Sequence, residues 1–577
     1  MRILLLTHAF NSLTQRLFAE LNARCHELSV EFDIADSVTE EAVALFQPDV
    51  VVAPFLKRAI PASVWSKVVC LVVHPGIKGD RGPSALDWSI MNGEATWGVT
   101  VLQANGEMDG GDIWATAEFS MPDARKSTLY RNEVTDAAVC AVLLALERLA
   151  SRTFQPERLD YSRPDVRGQL RPLMRQSDRA IDWARDDTRT VLRKIRAADG
   201  NPGVVDEIRG MACYLYDAHA ERALRGHSPG SLIAQRHGAI LRATCDGAVW
   251  ITHLKPVAGR DERAFKLPAT MVLGARIDGV PESEVVDFSD GSSDTWRDIW
   301  YHEADGVGFL HFDFYNGAMS VAQCDRLRKA FEQATRRPTR VIVLMGGRDF
   351  WSNGIHLNVI EAAESPADES WRSINAIDDV ALAVLTCDTH LTVSALQGNA
   401  AAGGVFLALA ADEVWARDGI VLNPHYKNMG NLFGSEYWTY SLPRRVGMEA
   451  GRGLIQSRFP LLAREAAEKR LIDACLGTAG AFLDAVKSRA RALARDPALP
   501  QRLAAKRLQR LDDEAVKPLA AYRAEELERM KLNFYGFDSS YHIARYNFVA
   551  KVPHSWTPRH LARHRSRTYA RPAEAAA

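Results

Sequence analysis

The sequence has few of the residues that build disulfide frameworks and zinc sites. Its 577 residues include only eight cysteines, none of which forms a CxxC pair, and no HExxH run occurs. Because small disulfide scaffolds and structural zinc sites depend on such closely spaced ligands, neither is expected here. The sequence therefore predicts chemistry that needs no metal site.

The chain also lacks a net charge and a long apolar run. Its 71 lysines and arginines nearly balance 72 acidic residues, so no overall field attracts nucleic acid or an anionic membrane. The longest strongly apolar stretch, residues 400–411, is well short of the roughly 20 residues that span a bilayer. The apolar run in MRILLLTHAF is too short for a signal peptide. We expect a cytoplasmic protein that binds neither nucleic acid nor a membrane.

What the sequence does contain is enough chain for several domains. Short apolar runs alternate with helical patterns between residues 2 and 73, as in the βαβ units of a parallel sheet. Residues 156–178 are rich in Pro, Arg, Gln and Ser, which is typical of an exposed linker. The first domain is therefore predicted to be an α/β domain that ends near this linker.

Further units follow the linker. Between residues 179 and 268, one helical pattern precedes short alternating runs separated by glycines, which predicts a small barrel-like β domain. A second βαβ series begins with the apolar runs at 307–314 and 341–347. Beyond about residue 486, Ala, Arg, Leu and Glu dominate in an amphipathic pattern that predicts helices.

The most informative motif of the first domain is a histidine at the end of a strand. The apolar run CLVV leads to His74, and a turn rich in Gly and Pro follows at once. A later strand, GVTVLQ, leads to Asp109, which two glycines follow. Ligands of parallel sheets lie beyond the carboxyl ends of strands, and glycines let a loop approach a substrate closely. His74 and Asp109 are therefore expected to converge on one site.

This part of the chain resembles the formyltransferases that use 10-formyltetrahydrofolate, among them methionyl-tRNA formyltransferase. The resemblance covers most of residues 1–150, and residues 181–205 resemble the start of the C-terminal domain of those enzymes. It implies that Asp109 accepts or relays the proton of the attacking nucleophile. It also implies that His74 polarises the formyl oxygen in the tetrahedral intermediate.

The sequence departs from this family at Val72, where the family usually has an asparagine. One donor to the oxyanion is therefore missing, and the loss of such a donor can cost about 10²–10³ in rate. Either another group donates to the oxyanion in its place, or the reaction needs less stabilisation of the oxyanion. The candidate substitutes are the backbone amides from Gly76 to Gly79 and the side chain of Gln15.

Two glycine turns mark the second α/β domain. Gly354 permits a tight bend after the run VIVLMGG, and Gly403 opens a helix after the strand SALQG. The free amides at the start of a helix can hold an oxyanion. With the run LAREAAEKRLID, these segments resemble the crotonase (enoyl-CoA hydratase/isomerase) superfamily over about residues 300–490. The resemblance implies that the backbone N–H groups of Ile355 and Gly403 bind the oxygen of a CoA thioester.

The catalytic side chains differ from those of a hydratase. The two positions at which hydratases carry glutamates correspond to Phe406 and His425, so the carboxylate pair that activates water is absent. Tyr426 and Glu436 lie in the loop where the superfamily varies its acid and base groups. We expect these two residues to be catalytic and the reaction not to be a hydration.

The full chain resembles one family with this architecture, the HypX/HoxX maturation factors of NiFe hydrogenases. The resemblance includes FNSLTQRLFAEL near the start and YHIARYNFVAKV near the end. It implies that the first site transfers a formyl group from 10-formyltetrahydrofolate to coenzyme A. The second site would then decarbonylate formyl-CoA to CoA and CO, which becomes a ligand of the hydrogenase iron. Hydrogenase maturation proteins are the partners that it implies.

The predicted fold is of the α/β class, with a small β-barrel domain and a helical tail. We predict four domains: a formyltransferase catalytic domain at 1–160, a small β barrel like the formyltransferase C-terminal domain at 165–275, a crotonase-type α/β spiral at 290–490, and a helical extension at 491–577.

Two other functions stay open at this point. The first is a formyltransferase that acts on an amine, with a crotonase domain that is only structural. The near-neutral charge and the lack of a basic, aromatic-rich stretch count against tRNA as that substrate. The second is a non-catalytic scaffold that binds folate or CoA and docks onto hydrogenase precursors.

Overall fold

The computed structural model describes residues 1–259, 263–283 and 295–566. The predicted start of the crotonase-type domain at residue 290 and the last part of the predicted extension, 567–577, lie outside these residues. The described residues form three regions with their own hydrophobic cores, followed by C-terminal helices. The predicted α/β architecture is confirmed.

The N-terminal region is a six-stranded sheet covered by helices on both faces. Its strands are β1 (Arg2–Thr7), β2 (Glu27–Phe32), β3 (Val50–Phe55), β4 (Cys70–His74), β5 (Thr96–Gln103) and β6 (Ile113–Ser120). Its helices are α1 (Ser12–Ala23), α2 (Asp36–Phe46), α3 (Ala62–Trp65), α4 (Ala85–Asn92), α5 (Lys126–Arg131) and α6 (Glu133–Ser151).

The strand order of this sheet is β2-β1-β3-β4-β5-β6, and its first four strands are parallel. The apolar runs of β1 and β3 are buried on both faces, by α1 and α6 on one side and by α2 and α3 on the other. The antiparallel pair β5 and β6 completes the sheet. The loop between β5 and β6 starts beside the amino end of β4, where Gln103 pairs with Leu71, and folds back so that the Asp109 side chain reaches His74 at the carboxyl end.

The predicted linker is largely exposed, and it also forms a strap over the turn that follows β4. The Gly168 amide donates to Lys78 O at 2.9 Å, and the Arg171 amide donates to Arg81 O at 2.9 Å. Tyr161 Oη adds a 3.0 Å hydrogen bond to Gly79 O. The strap fixes the turn that carries the first candidate site.

The second region is a small antiparallel β unit. Its strand order is β7-β8-β11-β10-β9, and β12 pairs with β11. Its strands are β7 (Val204–Ile208), β8 (Met211–Glu221), β9 (Leu232–Arg236), β10 (Ala239–Ala243), β11 (Ala248–Pro256) and β12 (Leu267–Pro268), and its helices are α7 (Thr188–Ala198) and α8 (Ala269–Leu273).

The third region is a spiral in which successive strands enter two sheets in turn. One sheet has the order β13-β14-β15-β17-β19-β22 and the other β16-β18-β20-β21. The strands are β13 (Ile299–Ala304), β14 (Val307–Phe312), β15 (Val341–Met345), β16 (Phe350–Ser352), β17 (Leu391–Leu396), β18 (Asn399–Ala401), β19 (Glu413–Ala416), β20 (Val421–Asn423), β21 (Leu461–Leu462) and β22 (Ala474–Cys475). The helices are α9 (Val321–Ala334), α10 (Leu357–Ala362), α11 (Pro366–Leu385), α12 (Gly403–Leu409), α13 (Trp438–Val446), α14 (Met448–Ser457) and α15 (Ala463–Glu468).

Four helices follow the spiral: α16 (Phe482–Arg495), α17 (Leu499–Val516), α18 (Leu519–Tyr535) and α19 (Ser540–Val549). Helix α18 packs against α11 and α13, and α19 packs against α10. Short 3₁₀ turns occur at Gln176–Arg179, Gly274–Ile277, Tyr315–Gly317 and Arg563–Arg565. Across the described ranges, no helix has the length and apolar content that crossing a bilayer requires.

The end of the described chain returns to the N-terminal sheet. Leu561 O accepts a hydrogen bond from the Val30 amide at 3.0 Å, and Thr557 Oγ1 accepts one from the Phe32 amide at 2.8 Å. Because β2 is the edge strand of its sheet, this tail covers an edge that would otherwise be open.

Candidate active sites

The end of β4 places His74 between two carboxylates. Its Nδ1 lies 3.6 Å from Asp109 Oδ2, and its Nε2 lies 2.9 Å from Asp80 Oδ2. The side chain of Asp80 is fully buried, whereas that of Asp109 is 16% exposed. Partners on both ring nitrogens hold the imidazole in one orientation. The structure brings His74 and Asp109 together, and their catalytic roles stay predictions.

Glycines and a left-handed aspartate shape this site. A Cβ added at Gly76 would lie 2.5 Å from His74 Nε2, so only glycine fits beside the imidazole. Asp109 has φ +51°, in the left-handed region that few non-glycine residues adopt. Its carboxylate accepts the Gly82 N–H at 3.1 Å, which ties the Asp109 loop to the turn after β4.

The residue that replaces the family's asparagine offers no donor. Val72 packs into the apolar layer between the sheet and helices α2 and α3. The amides of Gly76 and Gly79 have no hydrogen-bond partner among the residues that the structure describes. Of the predicted substitutes, these amides therefore remain available to an oxyanion.

Gln15 has partners on both ends of its amide. Its Nε2 donates to Phe10 O at 2.8 Å, and its Oε1 accepts from Asn423 Nδ2 at 2.9 Å. Because Asn423 ends β20, Gln15 connects the N-terminal region to the spiral region. Its predicted support of the formyl site stays a prediction.

Two backbone amides meet in the spiral region. The Met319 N–H donates to Gly354 O, and the Met319 carbonyl oxygen accepts from the His356 N–H, which is the pattern of a parallel β-bridge. This bridge leaves the Ile355 N–H without a partner in the described part of the chain, and the Gly403 N–H at the start of α12 likewise has none there. A Cβ added at Gly354 would lie 3.5 Å from Gly403 N, so the two turns are in contact. The two amides are suitable donors for an oxyanion.

Glu436 and Tyr426 form a buried pair beside these amides. Tyr426 Oη donates to Glu436 Oε2 and also lies 3.0 Å from Ser435 O. A Cβ added at Gly403 would overlap the Glu436 carboxyl, so glycine is required there. Burial raises the pKa of Glu436 well above its ordinary value, and the charge of Asp378 adds to this effect.

Phe406 and His425 are the predicted counterparts of the hydratase glutamates. The Phe406 ring stacks on the Tyr426 ring with a centroid distance of 5.1 Å. His425 is buried, and burial lowers its pKa to about 4, so it is neutral at pH 7. Neither side chain can supply the carboxylate that activates water in a hydration.

Sequence reasoning missed three buried carboxylates. Asp80 could have been found, because it lies in the same glycine-rich turn as His74. Asp378 and Glu526 accept hydrogen bonds from the backbone around Glu436, but they lie on α11 and α18. No local motif marks either of them.

The charges of three cations from different regions act on one another, and one of them, Arg131, also pairs with Asp349. Arg131 ends α5, Lys266 precedes β12 and Lys551 follows α19; we call them the interdomain cation group. Lys266 Nζ donates to Gly200 O at 3.1 Å and to Tyr315 Oη at 3.0 Å. Burial lowers the pKa of Lys266 to about 8, and the charges of Arg131 and Lys551 act in the same direction. This concentration of positive charge is suited to a phosphate group.

Family models match the chain in three places: Formyl transferase at residues 23–146, Formyl transferase, C-terminal domain at 173–265, and Enoyl-CoA hydratase/isomerase at 310–559. The hydrogenase maturation factor HoxX of Bradyrhizobium diazoefficiens is 54% identical over 568 residues, which are 98% of each chain. The chain belongs to the HypX/HoxX family of hydrogenase maturation factors.

A solved HypX/HoxX protein has the same fold along its whole length. HypX of Aquifex aeolicus, crystallised with tetrahydrofolic acid, is 49% identical with a TM-score of 0.95, covering 99% of this chain and 100% of that one. Methionyl-tRNA formyltransferase of Desulfotalea psychrophila is 25% identical over 221 residues, which are 37% of this chain and 66% of that enzyme. The resemblance to the HypX/HoxX family is confirmed, and its formyltransferase-type and crotonase-type regions indicate an enzyme.

Proposed function

We propose that the protein makes CO in two steps, formyl transfer from 10-formyltetrahydrofolate to CoA and decarbonylation of the resulting formyl-CoA. The observation that carries this proposal is the buried Glu436–Tyr426 pair beside the amides of Ile355 and Gly403, which have no partner among the described residues, while neither Phe406 nor His425 carries a carboxylate. The complex of the Aquifex aeolicus relative with tetrahydrofolic acid supports folate as the carrier in the N-terminal site.

In the first step, Asp109 accepts the proton of the CoA thiol, and the thiolate sulfur attacks the formyl carbon. His74, 3.6 Å from Asp109, donates to the developing oxyanion. The carbon–nitrogen bond then breaks, and N10 of the folate receives the proton that Asp109 holds. The Gly76 and Gly79 amides supply the donors that Val72 cannot.

In the second step, the Glu436 carboxylate removes the proton from the formyl carbon. The electron pair of that bond stays on carbon while the carbon–sulfur pair leaves with sulfur, so that CO and a thiolate form. Tyr426, hydrogen-bonded to Glu436, passes the proton to the sulfur and regenerates CoA. Ile355 and Gly403 orient the formyl oxygen through their amides.

The interdomain cation group is a suitable site for the phosphates of CoA. Replacing Lys266 with alanine removes one charged donor, and a hydrogen bond to a charged group contributes about 1.5–3 kcal/mol. We expect the KM for CoA to rise about 10- to 100-fold with little change in kcat, measured by release of tetrahydrofolate. Lys329→Ala, on the exposed side of α9, is the matched control. A fall in kcat at unchanged KM would contradict this assignment.

The whole proposal is tested by incubating the purified protein with 10-formyltetrahydrofolate and CoA, with haemoglobin as the CO reporter. We expect CO, together with tetrahydrofolate whose formation depends on CoA. Formyl transfer to an added amine without CoA would favour the amine formyltransferase, and binding without turnover would favour the scaffold. The absence of both CO and CoA-dependent tetrahydrofolate would refute the proposal.

A further inference from the structure

The backbone that carries Glu436 has an unusual conformation. Glu436 and Tyr437 are consecutive left-handed residues, with φ of +60° and +58°. Neither is glycine, so the turn is unfavourable by itself and persists only when surrounding groups hold it. The hydrogen bonds that hold it come from outside the loop.

One of these contacts comes from α11. Asp378 is fully buried, and its Oδ1 accepts the Glu436 N–H at 2.8 Å. Its Oδ2 accepts the Ser435 hydroxyl at 2.7 Å. Both carboxylate oxygens of Asp378 therefore bind the residues at the start of the turn.

The other contact comes from the C-terminal helix α18. Glu526, also fully buried, accepts the Tyr437 N–H at 3.0 Å and the Thr439 N–H at 2.8 Å. Its carboxylate lies 3.3 Å from Ser435 Oγ as well. These amides belong to the N-cap residue and the first turn of α13, so Glu526 caps that helix from another part of the chain.

We propose that Asp378 and Glu526 are positioning residues of the second site, which clamp the left-handed turn from two different helices and hold the Glu436 carboxyl against Tyr426. This inference rests on the proposed function, because it assigns to the two residues a task in CO release. It also explains why a helix outside the spiral is part of the site: α18 supplies half of the clamp.

The clamp also sets the charge around Glu436. The titratable and charged groups that act on it are Asp378 of α11, Glu526 of α18, Cys324 of α9 and Tyr426 of its own loop, whereas Asp379 and Arg523 act on Asp378. Because the negative charge of Asp378 raises the pKa of Glu436, its removal lowers that pKa. As Glu436 acts as a base, its active form then appears at lower pH.

The test compares two substitutions at Asp378 in the full chain supplied with formyl-CoA. Asp378→Ala removes both acceptors and so releases the Glu436 backbone. Because displacement of a catalytic base can lower the rate by about 100-fold, we expect kcat to fall by about that factor, with little change in KM. Asp378→Asn keeps an acceptor for the Glu436 amide. It should retain most of the rate at high pH, with the rising limb of the pH profile moved to lower pH. Glu526→Gln should lower kcat less than Asp378→Ala does, because it keeps one acceptor for the α13 amides.

The matched control is Asp379→Asn, which removes the same charge one residue along α11. Asp379 pairs with Arg523 and does not bind the loop, so we expect kcat and the pH profile to stay close to those of the parent. Formyl transfer at the N-terminal site of each variant reports whether the chain has folded. An Asp378→Ala variant that folds and releases CO at the parent rate overturns the inference. So does an unshifted pH profile for Asp378→Asn.

Failure of the proposed function can be told from failure of the clamp. If the parent protein releases no CO from formyl-CoA, the proposed function fails. Crystal structures of the Asp378→Ala and Asp379→Asn variants then test, independently of any activity, whether Asp378 holds the left-handed turn. Loss of the left-handed turn at Glu436 in the first and its retention in the second support the clamp, and an unchanged turn in both overturns it.

Discussion

Replacing Asp109 with asparagine will stop formyl transfer to CoA, while CO release from supplied formyl-CoA continues. The amide keeps the size of the side chain and can still accept the Gly82 N–H, so the loop stays in place. It cannot accept the thiol proton, and the loss of a general base costs about 10²–10⁴ in rate. Tetrahydrofolate release measures the first step, and haemoglobin measures CO.

Asp112 provides the control for this experiment. It lies in the same loop, and its backbone oxygen pairs with the Gln103 amide, but His74 does not contact its side chain. Asp112→Asn should therefore transfer formyl groups at the parent rate. Loss of both activities in Asp109→Asn would count against two separate sites.

Replacing Glu436 with glutamine will have the complementary effect. Tetrahydrofolate will still form in the presence of CoA, but CO release will fall by about 10²–10⁴ because the base is gone. Formyl-CoA, or formate from its hydrolysis, will accumulate and can be followed by liquid chromatography. CO output equal to that of the parent would remove Glu436 from the mechanism, and Glu449→Gln on α14 is the control.

The pH dependence of CO release separates a base from a merely structural carboxylate. Burial, with the charge of Asp378, raises the pKa of Glu436, so its carboxylate form is scarce at acidic pH. With formyl-CoA as substrate, the rate should rise with pH through a pKa well above the ordinary glutamate value. Glu436→Gln should abolish this rising limb, since the glutamine amide does not ionise and cannot act as the base.

The sequence predicted the parts of both sites that local motifs carry. His74 and Asp109 could be named because each lies at the end of a strand next to glycines, but β5 runs antiparallel to β4, so it is the fold of the loop after β5 that brings Asp109 back to His74. Ile355 and Gly403 could be named because the segments that contain them resemble the crotonase superfamily. The contact of Gly354 with Gly403 bears out the expected approach of these turns.

The rest depends on contacts between distant parts of the chain, which no local pattern reveals. Asp378 and Glu526 lie 58 and 89 residues from the backbone amides that they bind. Gln15, a predicted substitute donor of the formyl site, is hydrogen-bonded to Asn423, 408 residues away, and no local pattern reveals that contact. Burial decides these partnerships, and burial is a property of the folded chain.

The tail that covers β2 has a consequence for how the protein is made. Thr557 follows Phe32 by 525 residues, and ribosomes add about 5–20 residues per second. The N-terminal sheet therefore emerges from the ribosome about half a minute to two minutes before its outer strand gains this partner. Throughout that interval, the backbone of β2 is open to pairing with another nascent chain. We therefore expect β2 to be more prone to pairing with other chains during synthesis than in the folded protein.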